Sequence, residues 1–159
     1  MLKIKRLALA VAVAIIMIAA ALFLISKPML VLYDADSSKV YAKWDIYDTM
    51  IFSVEFIHSV NQSPVEDFFE IKDNDIYITA TKYSAFGAGV QTEIEPGQSL
   101  SYDDEGNMIV SGFNMKFDKV NYVVGTVYDH ILKIEGEQIN LTQLCGRNAH
   151  VVFEIRRGF

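Results

Sequence analysis

Two hydrophobic patterns divide this chain. The first is continuous: Leu7 to Ile25 is a run of 19 apolar residues. As a helix rising about 1.5 Å per residue it covers roughly 28 Å, close to the hydrocarbon core of a bilayer. The second pattern has a period of two. Between Met50 and Val60, residues Phe52, Val54, Phe56, His58 and Val60 point one way and Ser53, Glu55 and Ser59 the other, which marks a strand with one buried face. Residues 65–72 resume the alternation, with Val65, Asp67, Phe69 and Ile71 on one side. Further short β-type runs occupy residues 29–33, 39–46, 76–83, 99–102, 108–113, 120–127, 130–134, 139–141 and 151–155. Turn-forming clusters such as Asp34-Ala35-Asp36-Ser37-Ser38 and Asp103-Asp104-Glu105-Gly106-Asn107 separate them. Only residues 142–146 read as a short helical or irregular piece. The pattern predicts an all-β fold of about nine or ten short strands, an antiparallel β-sandwich or small barrel, behind one N-terminal transmembrane helix.

Charge orients the apolar run. Lys3, Lys5 and Arg6 precede it and only Lys27 follows, a bias that keeps the N-terminus cytoplasmic and sends the rest outward. Ser26-Lys27-Pro28 is a poor match to the small-residue cleavage site of a secretory leader, so the reading favours an uncleaved signal-anchor at the cell membrane. Residues 1–27 are then a basic tip plus anchor, and residues 28–159 one extracytoplasmic β domain. Four of the 14 basic residues fall in the first segment, leaving 10 against 20 acidic ones and a net charge of about −10 on the domain. Such a domain is repelled by nucleic acid and by anionic headgroups, whereas cations or a basic protein surface are plausible partners. The lone cysteine, Cys145, excludes an internal disulfide and reads as a small buried apolar residue.

Candidate chemistry gathers between Phe52 and Val90. If Asn61-Gln62-Ser63-Pro64 forms the connection, Val60 pairs with Val65, Phe56 with Phe69 and Val54 with Ile71. That register sets His58 opposite Asp67 on the inner face and Ser59 opposite Glu66 on the outer one, with opposed side chains about 5 Å apart. Phe86-Gly87-Ala88-Gly89 can expose backbone amides, but it lacks the third glycine of a dinucleotide loop and the Lys-Ser/Thr of a P-loop. Asp34 and Asp36 lack the further ligands of an EF-hand and read as a solvated turn. No Gly-x-Ser-x-Gly elbow occurs, and neighbours on a strand face opposite ways, so His58 is badly placed to activate Ser59.

Together, Phe56-Ile57-His58-Ser59-Val60, Pro64-Val65-Glu66 with Phe69, Phe86-Gly87-Ala88-Gly89, Gly125 with Asp129-His130, Leu141 and the final strand resemble the domain of unknown function 1850 family. These are small extracytoplasmic proteins associated with TAXI-type TRAP transporters. The resemblance covers roughly residues 50–155; Val90-Gln91 replaces a usual proline, and Ile131 follows His130 where a basic residue is common. It implies an accessory domain tied to uptake of small organic acids, with no established catalysis; no cofactor is expected. The implied partner is a TRAP transporter membrane subunit or solute-binding protein. The positions of interest it implies for ligand or partner binding are His58, Ser59, Glu66, Gly87, Gly89, Asp129 and His130.

Four functions of different classes follow. A membrane-anchored accessory or ligand-binding domain, not an enzyme, accounts for the anchor, the acidic surface and the resemblance. A metal site would draw on His58, His130 and Glu66, two imidazoles and a carboxylate. A hydrolase would use Ser59 or Ser84 with His58. A structural cell-envelope protein would use its histidines and glycines only to maintain the fold.

Overall fold

The computed structural model describes residues 2–85 and 93–157. Helix α1 (Leu2–Ile25) comes first. Its window Ile4–Ala21 has a mean hydropathy of 2.2 and buries nothing against the rest of the protein, so it is long and apolar enough to cross a membrane. Ser26 and Lys27 lead directly into β1 (Pro28–Asp34), followed by β2 (Val40–Asp45), β3 (Ile51–Ile57), β4 (Pro64–Lys72), β5 (Asp75–Tyr83) and β6 (Ser99–Tyr102). Then come β7 (Met108–Phe117), β8 (Lys119–Val123), β9 (Ile131–Ile134), β10 (Glu137–Asn140), the short helix α2 (Leu141–Cys145) and β11 (His150–Arg157).

The strands form two antiparallel sheets, one of four strands in the order β2-β1-β11-β8 and one of seven in the order β10-β9-β3-β4-β5-β7-β6. The chain begins in the small sheet, builds β3 to β7 in the large one, and then alternates between them. This interleaving ties the layers of a sandwich together. Period-two alternation supplies the filling: Leu30 and Leu32 from β1 and Val151 and Phe153 from β11 meet Phe52, Val54, Phe69 and Ile71 from the large sheet. Phe52 lies 5.0 Å from Phe69 and 5.4 Å from Phe153, centroid to centroid, offset contacts that aromatic quadrupoles favour. Asp34 closes the β1–β2 turn by accepting the Ser37 N–H and hydroxyl, both at 2.7 Å, and so behaves as a turn residue.

The strand pairing fixes which end of the sandwich is which. Pro28 pairs with Arg157 and Asp34 with Val151, while Val123 pairs with His150. Residues 124–130 therefore leave β8 at the end of the sandwich farthest from α1.

The β3–β4 register differs from the one the alternation predicts. Strand β3 stops at Ile57, the connection is the six residues 58–63, and Phe56 faces Val65 instead of Phe69 while Val54 faces Asp67 instead of Ile71. His58 is thus not opposite Asp67, nor Ser59 opposite Glu66. Gln62 explains the longer loop: its φ of 51° bends the chain, and the His58 N–H bonds to the Ser63 carbonyl at 2.9 Å while the Gln62 N–H returns to the His58 carbonyl at 2.9 Å. Strand β8 also ends sooner than its apolar run, at Val123, because Val124 turns inward to exchange backbone hydrogen bonds with Ala149 and Asn148.

Candidate functional site

A cavity of about 390 Å³ opens at the end of the sandwich far from α1, between residues 58–63 and residues 124–130. Phe56, at the end of β3, and His130, just before β9, line its inner part; His58, Ser59, Thr126 and Tyr128 line it from the two loops. His130 is 8% exposed. Its ring stacks on Phe56 at 5.4 Å, inclined by only 14°, and meets the edge of Tyr122 at 6.2 Å. Burial pulls the imidazole below its ordinary value near 6.5, against a smaller opposing effect from the charge of Asp129.

Both histidines are held by their Nδ1 atoms. His130 Nδ1 accepts the Gly125 N–H at 3.1 Å, and His58 Nδ1 accepts those of Val60 and Asn61 at 3.3 and 3.4 Å. An imidazole that accepts at Nδ1 carries its proton on Nε2 when neutral, so each ring keeps Nε2 as its donor. Metal-ligating histidines more often present the reverse arrangement, with the non-ligating nitrogen donating to an acceptor behind it. Gly125 makes this geometry possible by close approach: a Cβ there would strike the Tyr128 carbonyl and stand 3.3 Å from His130 Nδ1.

The cavity loop is held from behind. Arg147 Nη1 donates to the Thr126 carbonyl at 2.9 Å, Asn140 Nδ2 to Asp129 Oδ2 at 2.8 Å, and Arg147 Nη2 lies 3.6 Å from Asp129 Oδ1. Asn140 also caps α2 by accepting the Gln143 N–H at 3.1 Å. The hydrogen bond from Asn140 heads the influences that hold the Asp129 carboxyl below the usual range. Asp129 therefore braces the loop and does not line the cavity.

Glu66 lies elsewhere. It projects from the opposite face of the large sheet, where it is 4% exposed and stands across from Glu55. Lys133 Nζ bridges the two acids, 2.9 Å from Glu66 Oε1 and 2.7 Å from Glu55 Oε2, and Ser53 Oγ donates to Glu66 Oε1 at 2.7 Å. Burial alone would raise this carboxyl; the Ser53 and Lys133 hydrogen bonds and the charges of Lys133 and Lys82 outweigh it and hold Glu66 below its ordinary value. The set His58, His130 and Glu66 is therefore not brought together, and no group of three metal-ligating side chains occurs among the described residues. Gly87 and Gly89 lie outside the described residues.

Sequence reasoning named His58, Ser59 and His130 among the lining residues, and passed over Phe56 as a wall and Tyr128 and Thr126 at the rim. It also missed the true partners of Asp67, which accepts from Tyr122 Oη at 2.8 Å and Thr81 Oγ1 at 2.9 Å. A carboxylate on an otherwise apolar strand face was the available signal that a buried hydroxyl would meet it.

Comparison with known families finds a match over residues 52–141, more than half of the chain, to a model described as a domain of unknown function (DUF1850). The match runs from β3 to the start of α2 and takes in both cavity loops. No curated protein and no solved structure matches the chain.

Proposed function

From the premise that this chain belongs to the DUF1850 family, we propose that it is a membrane-anchored, extracytoplasmic accessory domain that recognises a small ligand or partner segment and does not catalyse a reaction. The observation that carries this reading is the cavity between the two loops, with His58 and His130 in its lining and each Nδ1 occupied by a backbone N–H. Concave, largely apolar sites with a few placed polar groups are the usual form of ligand recognition. Helix α1 supplies the anchor; the basic residues ahead of it support a cytoplasmic N-terminus. The partner we propose is a TRAP-type transporter membrane subunit or its solute-binding protein, a choice that rests on the sequence resemblance.

A binding role in place of catalysis is supported by the state of the nucleophiles. His58 Nδ1 is engaged by backbone N–H groups, so it cannot take a proton from Ser59 there. Burial pushes the Cys145 thiol up to about 11, which leaves it protonated and unreactive at neutral pH.

The test is recovery of partners from membranes by a tagged full-length chain, beside a His58→Ala variant whose thermal stability matches it. A transporter subunit or solute-binding protein recovered with the native chain and lost with the variant is the expected result. Recovery of neither with either chain overturns the transport link and leaves a structural envelope protein.

A further inference from the structure

Resting on that reading of the cavity as a recognition site, we propose that its ligand is an uncharged molecule with an apolar body and a hydrogen-bond-accepting oxygen. It would not be an organic anion or a cation.

The first support is the charge pattern of the surface concavities. Each of four other concavities carries acidic or basic side chains: Lys133, Glu135 and Glu137 in one, Asp75, Asp118 and Glu154 in a second. Glu55, Glu66, Lys82 and Glu105 line a third, and Asp67 and Lys119 a fourth. Among the described residues, the cavity at the far end has no Lys, Arg, Asp or Glu in its lining, although the chain holds 14 basic and 20 acidic residues. Asp129 and Arg147, beside the cavity loop, face each other at 3.6 Å, and Arg147 also donates to the Thr126 and Val127 carbonyls. An ion entering this space would lose water without meeting a counter-charge, an expensive exchange.

The second support is the state of the two imidazoles. Each Nδ1 accepts a backbone N–H, which only an unprotonated Nδ1 can do. Protonating either ring to meet an anion would set N–H against N–H and break the bond that orients it. A ring held this way offers Nε2 as its donor, matched to an acceptor such as an amide, ester or ketone carbonyl. The hydroxyls of Ser59, Thr126 and Tyr128 at the rim add neutral polar groups, and Phe56, Ile57, Val123 and Val127 give the body an apolar wall.

The third is size. At about 30 Å³ for each water-sized group, 390 Å³ holds a molecule on the order of ten non-hydrogen atoms.

Three probes of nearly equal shape isolate charge: benzamide, benzoate and benzylammonium. Each is titrated at pH 7.5 into the full-length chain in nanodiscs of zwitterionic lipid. Binding is read from the amide resonance of Gly125 and the imidazole nitrogens of His58 and His130. Benzamide is expected to bind at least tenfold more tightly than either ion, to shift the Nε2 resonances, and to weaken at least fivefold in His58→Ala. A Ser59→Asp variant, which changes an exposed loop residue, should strengthen benzylammonium relative to benzamide by bringing a charge to the rim. Benzoate or benzylammonium binding as tightly as benzamide to the native chain overturns the assignment of an uncharged ligand and leaves the recognition site standing. No response to any of the three at millimolar concentration overturns both.

Discussion

His130 and Gly125 act as one unit. Replacing Gly125 by Ala drives a methyl group into the Tyr128 carbonyl and crowds His130 Nδ1, so the loop must open and the bond that orients the ring is lost. A loss of about 1–3 kcal/mol is expected on denaturant unfolding, together with loss of the His130 Nε2 resonance shift on titration with benzamide. The histidine also ties stability to pH. Because burial lowers its folded value, the unfolded chain takes up the proton first. The stabilisation is therefore whole above the unfolded value near 6.5 and is lost as pH falls through the lower folded one. The groups facing the ring are Asp129, which opposes the shift, and Tyr122, which is bonded to Asp67. Burial raises the Asp67 carboxyl, so its contribution has the opposite sign and fades as pH rises. Melting temperature measured from pH 7.5 downward should fall more steeply for the native chain than for His130→Gln; equal slopes would contradict the assignment.

Strand faces were legible in the sequence, and register was not. Alternation tells which side a residue takes, because successive side chains point to opposite faces. The observed β3–β4 pairing differs from the predicted one by four residues, an even number, so every side chain keeps its face and the period-two signal is blind to the change. What decided it was local: a six-residue connection closed by His58 and bent at Gln62, a conformation that nothing in the residue types required. The same face logic explains why Glu66 could not join His130, since Asp67, not Glu66, shares the inner side with Phe56 and Phe69. Removing Glu66 leaves Ser53 without its acceptor and Lys133 with one acid instead of two. Glu66→Ala is expected to lower stability by about 2 kcal/mol while leaving benzamide affinity at the cavity unchanged, because the two lie on opposite faces of the sheet. Arg147→Ala, by contrast, releases the Thr126 and Val127 carbonyls; faster hydrogen exchange confined to residues 124–130 is expected, with little change in global unfolding.

The whole molecule places a mostly neutral cavity at one end of an acidic sandwich and an apolar helix at the other. Composition was enough to foresee both the helix and the all-β class, because each depends on a pattern repeated over many residues. Convergence of His58 and His130 on one cavity was beyond it, because that depends on two loops separated by more than sixty residues meeting where β3 and β8 end together. Only Ser26 and Lys27 separate α1 from β1, so on the proposed anchoring of α1 in a bilayer the sandwich would be held close to the membrane surface. Strand β1, seven residues long at about 3.3 Å each, then sets the cavity roughly 20 Å beyond Pro28. At physiological ionic strength the screening length is about 8 Å, so with β1 upright on a bilayer the potential of charged headgroups would decay before it reached the loops. If α1 anchors the chain as proposed and β1 stands away from the bilayer, the cavity's affinity should be the same in anionic and zwitterionic nanodiscs.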